Sequence, residues 1–386
     1  MFKNIASNTL AQLTAKFFGA GLTLLTTFFT IRIAGLDLYG DLSKILVLVA
    51  LGFTAIDFGV PSMLQLTRRV MLARFALALI AIIVLNSFVF LLPGGYSPEI
   101  KSLFWVASIG ILFQSIYTSG NAYFQYSMNY WRSTISVILG TIVTTILTLY
   151  YLSSSPTLPS LTLSITFGYF VMAVSTFLLL PRLLFKDIQI RDLREVAPTL
   201  LRASTLGAIL IFSILSSKVD TILLGVFRTS SEVGQYAFAY RIFDVILVLP
   251  VFVMNSLYPL MLKHKESLLI PTLKTLGSLG FLAGVGTYVL APLIIYIKPE
   301  LGLSITTLRI LSLSLPLFYL TAPLMWDLVA KSKDGLVLKI YIIAALINIS
   351  ANLWTIPHYG VVAAAIITGL TELLIFISLL YYSLYD

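Results

Sequence analysis

Stretches of about twenty predominantly apolar residues follow one another along the whole chain, and that is the length a helix needs to cross a bilayer core. Twelve are read, at 7–34, 42–64, 75–93, 103–128, 134–152 and 160–181, then at 199–226, 234–262, 271–297, 303–330, 335–355 and 360–384. In hydrocarbon each backbone N–H and C=O must be satisfied within its own segment, so runs of this kind predict helices. The expected fold class is an all-α polytopic membrane protein with its spans in two six-helix lobes. Composition agrees: 59% of the 386 residues are hydrophobic and 11% charged, whereas a soluble domain carries about a quarter charged residues. Little chain is left between spans, so any chemistry belongs in or at the membrane. Proline and glycine mark the joins at Pro93-Gly94-Gly95, Pro156, Pro159, Pro181, Pro299 and Pro357 with Gly360. Pro61, Pro250, Pro259, Pro292, Pro316 and Pro323 fall inside spans and predict kinks.

The net charge of +9 is a topology signal before it is anything else. With the N-terminus on the cytoplasmic side, sixteen of the 25 basic residues fall on that side and five (Arg32, Lys101, Arg228, Lys298, Arg309) fall outside. By the positive-inside rule this places both termini in the cytoplasm and the span count at an even number. Attraction to anionic lipid headgroups is secondary, and no nucleic-acid role follows. Other classes are excluded by what is missing. There is no cysteine, hence no thiolate chemistry or iron–sulfur cluster. His264 and His358 cannot form a metal cluster by themselves, no G-x-x-x-x-G-K-[ST] phosphate loop is present, and no cofactor is expected. The 152–160 loop carries no charge, which weighs against a polytopic glycan polymerase or ligase with catalytic groups on an outer loop.

The longest hydrophilic segment lies at the midpoint. It divides the chain into a first lobe, 1–181, a linker, 182–198, and a second lobe, 199–386. The linker's mixed-charge stretch from Lys186 to Glu195 suits a short amphipathic helix on the cytoplasmic surface. The halves echo one another: Leu38-Tyr39-Gly40 opens the second span and Val233-Gly234-Gln235-Tyr236 the eighth. Six spans per half give repeats running in one direction, related by an axis along the membrane normal, with a pocket expected near the midplane.

The run Lys218-Val219-Asp220-Thr221-Ile222-Leu223-Leu224-Gly225, followed by Glu232-Val233-Gly234-Gln235-Tyr236 and Tyr240-Arg241, resembles the seventh-to-eighth helix signature of the polysaccharide transporter (Wzx-type flippase) family. Gly35 to Gly40, Asp57-Phe58-Gly59, and Ile356-Pro357-His358-Tyr359-Gly360 to Ala365 are similar too. The resemblance covers the full length and implies membership of the multidrug/oligosaccharidyl-lipid/polysaccharide (MOP) exporter superfamily, with two six-helix lobes working by alternating access. It implies as cargo an undecaprenyl-diphosphate-linked oligosaccharide, and as partners membrane lipids, a proton or other ion, and polymerase and chain-length machinery. The chain is shorter than the resemblance leads one to expect. It lacks the two further C-terminal helices of lipid II flippases of the MurJ type, which ranks that branch lower. The multidrug (MATE) branch shares the fold and is the other alternative.

Ionisable residues inside spans are functional candidates, because a charge there costs several kcal/mol unless it faces water or a partner. Asn8, Gln12 and Lys16 lie four apart and share one face of the first helix. Lys16 sits roughly 14 Å in from the cytoplasmic end at about 1.5 Å per residue. It is a candidate diphosphate ligand, the competing account being a structural pair with Asp57 or Glu372. Lys218 and Asp220 point about 200° apart on a helix, so Lys218 is the better cargo contact while Asp220 bridges to another helix or to Arg241. Arg241 and Asp244 are spaced to pair within their own helix. Asp57, Asp220 and Glu372 are candidates to carry a coupling ion, with helix-bridging bonds as the plainer role. Asp327, near the inner end of the tenth span, is a further buried carboxylate. Tyr117, Tyr123, Tyr126, Tyr130 and Trp131, with Asn121, Gln125 and Asn129, could line a glycan path or form an interfacial aromatic belt.

Overall fold

The computed structural model describes residues 2–58, 68–181, 196–251, 253, 254, 257 and 268–385, with the side chains of 2–10, 13, 68, 69, 199 and 385 excepted. Its α-helices are α1 Phe2–Ala34, α2 Leu36–Asp57, α3 Arg68–Leu91, α4 Pro98–Tyr126, α5 Tyr130–Ser154, α6 Leu158–Leu179, α7 Val196–Phe227, α8 Ser230–Ile246, α9 Leu269–Leu290, α10 Gly302–Ala330 and α11 Asp334–Tyr385. No strand occurs among the described residues. Among the described residues, eleven helices are long and apolar enough to cross a membrane. The last has 52 residues and leaves helical geometry at Gly360 (φ 59°, ψ −137°), so it is the expected eleventh and twelfth spans joined at a break. The chain is a multi-pass membrane protein. Large apolar side chains such as Phe17, Leu91, Leu178 and Trp354 face outward, as lipid requires and water does not permit over so wide a surface.

Local chemistry sets the helix ends. Gly35 (φ 90°) closes α1 and lets α2 start at once, six residues ahead of the expected 42. The polar opening turns of α2 hid this start: Lys44, fully buried, is held by Asp41 and by the Gly95 carbonyl, both at 2.9 Å. Phe58 ends α2 in the left-handed region (φ 33°), its N–H donating to the Thr54 carbonyl. Ser97 caps α4 ahead of Pro98, and Thr157 with Ser160 forms a capping box for α6. Pro292 converts the end of the ninth span into a 3-10 turn, Ala291–Tyr296, since its ring nitrogen donates nothing. Many hydroxyls inside spans donate back to the carbonyl one turn earlier, as Thr30 does to Thr26 at 2.8 Å and Thr176 to Met172 at 2.7 Å, which satisfies them within their own helix.

The chain forms two compact units, Met1–Ile211 and Phe212–Asp386, with the boundary inside α7. The first turns of α7 belong to unit 1 because they pack on α2: the Phe58 ring lies so near Gly207 that a Cβ there would come within 2.6 Å of it. Within unit 1, α4 packs on α2, α3, α5 and α6. Helices α5 and α6 touch backbone to backbone at Gly140 and Gly168, where a Cβ on either would come within 2.9 Å of the other's carbonyl. Within unit 2, α10 packs on α8, α9 and α11. Helices α4 and α10 are the fourth expected spans of their halves. The linker stretch 186–195 lies outside the described residues.

Candidate functional site

In unit 2 the signature stretch assembles at the α7–α8 hairpin and draws in α10 and α11. Thr229 and Glu232 form a capping box that starts α8. Gln235 then reaches α10: its Oε1 accepts from the backbone N–H of Leu303 at 3.0 Å and of Ser304 at 3.3 Å, and the Ser304 hydroxyl donates to the Gln235 carbonyl at 2.8 Å. Helix α10 has no side-chain cap of its own, so a residue of α8 supplies it. Gln235→Leu is therefore expected to cost about 1–2 kcal/mol, read as a lower melting midpoint in detergent. An unchanged midpoint would show the cap to be dispensable.

Asp220, fully buried, is the centre of this region. Its Oδ1 accepts from the Thr221 N–H at 2.6 Å and the Thr221 hydroxyl at 3.2 Å. Its Oδ2 accepts from the Tyr236 hydroxyl, and from the Thr368 hydroxyl at 3.1 Å. One carboxylate thus ties α7 to α8 and to α11, bridging to other helices as the spacing suggests, through hydroxyls rather than Arg241. Asn348 and Asn352 add a buried amide pair nearby in α11: Asn352 donates to Asn348, which donates to Thr371, each at 2.9 Å.

Lys218 leaves α7 on another side. Its Nζ donates to Asp244 Oδ2 at 2.8 Å and lies 4.1 Å from the centre of the Tyr240 ring. Asp244 therefore takes Lys218, and not Arg241 three residues before it. The Lys218 side chain is 17% exposed and that of Asp244 37%. Tyr240 is buried against Tyr236 and Phe243, with ring centres 5.7 and 5.5 Å away. Tyr240 thus carries the Lys218 ammonium over its ring and has beside it Tyr236, the residue that holds Asp220. Glu372, one turn beyond Thr368 on α11, is buried. Asp327 is occupied by Lys331 at 2.9 Å and Ser383 at 2.8 Å, a structural arrangement.

In unit 1 the candidates are more dispersed. Lys16 is exposed on α1 and Gln12 half-buried, while the Asn8 side chain lies outside the described residues. Asp57, half-buried at the end of α2, has a companion that sequence reasoning placed in a basic loop: Arg74, fully buried on α3, whose charge acts on it. Arg74 donates to the Thr118 carbonyl at 3.1 Å, and its Nε and Nη2 have no hydrogen-bond partner among the described residues. Its place in sequence hid it, since Arg74 lies in a basic stretch just ahead of the expected third span. Tyr117 shares a hydrogen bond with Ser133, which donates to Asn121 at 2.7 Å. This ties α4 to α5 and consumes two members of the expected glycan surface. Tyr123 is half-buried, edge-on to Phe124, and Tyr126 is exposed.

Residues 95–261 match the family described as "Polysaccharide biosynthesis protein". No curated protein matches the chain in sequence. Among solved structures, a lipid II flippase MurJ in its inward closed conformation is similar, with a TM-score of 0.78 and 15% identity over 97% of this chain and 87% of that one. The MATE transporter VcmN of Vibrio cholerae, solved as a point mutant, gives 0.69 and 15% over 99% of this chain and 95% of that one. A MOP superfamily transporter from Pyrococcus furiosus gives 0.62 and 14% over 97% and 95%. The likeness carried by the residues is thus borne out: this multi-pass membrane chain has the fold of the MOP exporter superfamily and, over residues 95–261, the sequence pattern of its polysaccharide-biosynthesis family.

Proposed function

We propose that the chain is a flippase, not an enzyme. It carries a polyprenyl-diphosphate-linked oligosaccharide from the inner to the outer leaflet of the cytoplasmic membrane by alternating access, for assembly of a surface polysaccharide. The observation that supports this most is the family match over 95–261, which contains the whole Lys218-to-Arg241 signature. The MurJ structure is titled a lipid II flippase, and a lipid-linked sugar is the cargo carried over from it by analogy. In this reading Lys16, Lys218 and Arg241 meet the diphosphate, Asn8, Gln12 and Tyr123 contact the cargo, and Asp220, Glu372 or Asp57 carries a coupling proton or cation. Both termini lie in the cytoplasm, and the glycan polymerase and its chain-length partner act downstream.

The buried carboxylates Asp220 and Glu372 favour a second reading, a cation exporter of the same fold. Depleting the protein in its host separates the two. Inner-leaflet accumulation of an undecaprenyl-diphosphate glycan, with loss of surface polymer, is the expected result. An unchanged lipid pool with sensitivity to cationic dyes would favour the exporter. Lys16→Glu is expected to abolish translocation while the protein still accumulates in the membrane; full activity in that variant would remove Lys16 from the cargo site.

A further inference from the structure

A cation that waits for a phosphate inside a membrane protein must be satisfied while it waits. Lys218 is mostly buried, so a bare ammonium there would be costly, and Asp244 meets it at 2.8 Å. The two ends of the pair differ. Lys218 is fixed from behind by the Tyr240 face, 4.1 Å away. Asp244 is the more exposed partner, 37% against 17%, and can leave at lower cost. It also has a second cation within reach on its own helix, since Arg241 lies one turn before it at the spacing that lets side chains meet. The geometry is that of a fixed cation, an anion able to let go, and a place for that anion to go.

We propose that Asp244 is a built-in competitor for Lys218. It occupies the ammonium in the empty protein, yields it to the arriving phosphate group, and passes to Arg241, so that neither Lys218 nor Asp244 is left without a partner during the exchange. This rests on the phosphate-binding reading of Lys218 and goes beyond it in making Asp244 a specificity residue. A monoanionic lipid headgroup offers Lys218 no more charge than Asp244 already does. A diphosphate offers more charge and more acceptor oxygens, so the exchange selects the cargo against the lipids that surround it.

The test is binding of farnesyl diphosphate to the full-length protein in nanodiscs. Wild type is compared with Asp244→Asn, Asp244→Glu, Lys218→Gln and the Lys218→Gln/Asp244→Asn double variant. Asp244→Asn removes the competing charge and keeps the shape, and is expected to bind about fivefold more tightly, the scale of a partly exposed ion pair. Asp244→Glu keeps the competitor and should stay within about twofold of wild type. Lys218→Gln should bind about tenfold or more weakly. On that background Asp244→Asn should gain nothing, because competition requires the lysine. An equal gain in both backgrounds would be a general field effect and would overturn the proposal. So would a loss of binding in Asp244→Asn, which would make Asp244 a support for Lys218. If Lys218→Gln binds like wild type, the phosphate reading of Lys218 itself falls, and the exchange falls with it.

Discussion

Asp220→Asn is expected to lower cargo translocation at least a hundredfold in proteoliposomes, while Asp220→Ala is expected to yield little folded protein. Both outcomes follow from how completely the carboxylate is used. It is fully buried, and donors from Thr221, Tyr236 and Thr368 fill both of its oxygens. Alanine would leave the Tyr236 and Thr368 hydroxyls without their shared acceptor and untie α7 from α8 and α11, at about 1–3 kcal/mol for each stranded donor. Asparagine keeps the shape and one acceptor, but turns an NH2 toward donors at the other, at about 1–2 kcal/mol. It cannot take up a proton or neutralise a cation at this point. Two measurements keep the roles apart: the melting midpoint reports the tie, and transport under an imposed ion gradient reports the coupling. Full coupled transport by Asp220→Asn would reduce Asp220 to a helix tie and move the coupling role to Glu372 or Asp57.

At Gly360 the expected effect falls on stability. The residue breaks α11 with φ 59° and ψ −137°, a backbone region that only glycine enters without strain. A Cβ there would stand 3.1–3.3 Å from the Arg228 guanidinium, whose Nε donates to the Ile356 carbonyl at 3.1 Å. Gly360→Ala is expected to cost about 1–3 kcal/mol in backbone strain and about 1 kcal/mol more for the displaced hydrogen bond. Gly286→Ala is the control, since nothing lies within 4 Å of its added Cβ and it sits within α9, where alanine is the better helix former. A clear drop in melting midpoint for the first and none for the second is the expected pair of results. Arg228→Ala should return part of the loss by clearing the contact. Equal midpoints for both glycine variants would mean that α11 tolerates a continuous helix at Gly360.

The positions where the residues alone misled share one cause. The early start of α2 was hidden because Asp37 and Asp41 look like loop residues until Asp41 is seen to accept from Lys44, which also donates to the Gly95 carbonyl. Arg74 reads as one more basic loop residue, and only packing puts it at the core beside Asp57. Asp244 has two cations within sequence-plausible reach, and local spacing favours Arg241, but Lys218 from the neighbouring helix takes it. Even the conspicuous Glu232-Val233-Gly234-Gln235-Tyr236 stretch turns out to be largely structural: Glu232 caps α8, Gln235 caps α10 and Tyr236 holds Asp220.

The sequence by itself determined the class of solvent, the helical architecture, the span count and the break at Gly360. These rest on the length of apolar runs and on the backbone habits of glycine and proline, which act within a few residues. The family likeness came from the same level, through motifs a few residues long. Which buried charges meet, which helix supplies another's cap, and that the compact units divide inside α7 came from the tertiary structure alone. Those choices depend on residues far apart in the chain, such as Asp220 with Thr368 or Gly207 with Phe58. In a membrane a polar group has few alternative partners, so a single close contact fixes the outcome, and no local pattern encodes it.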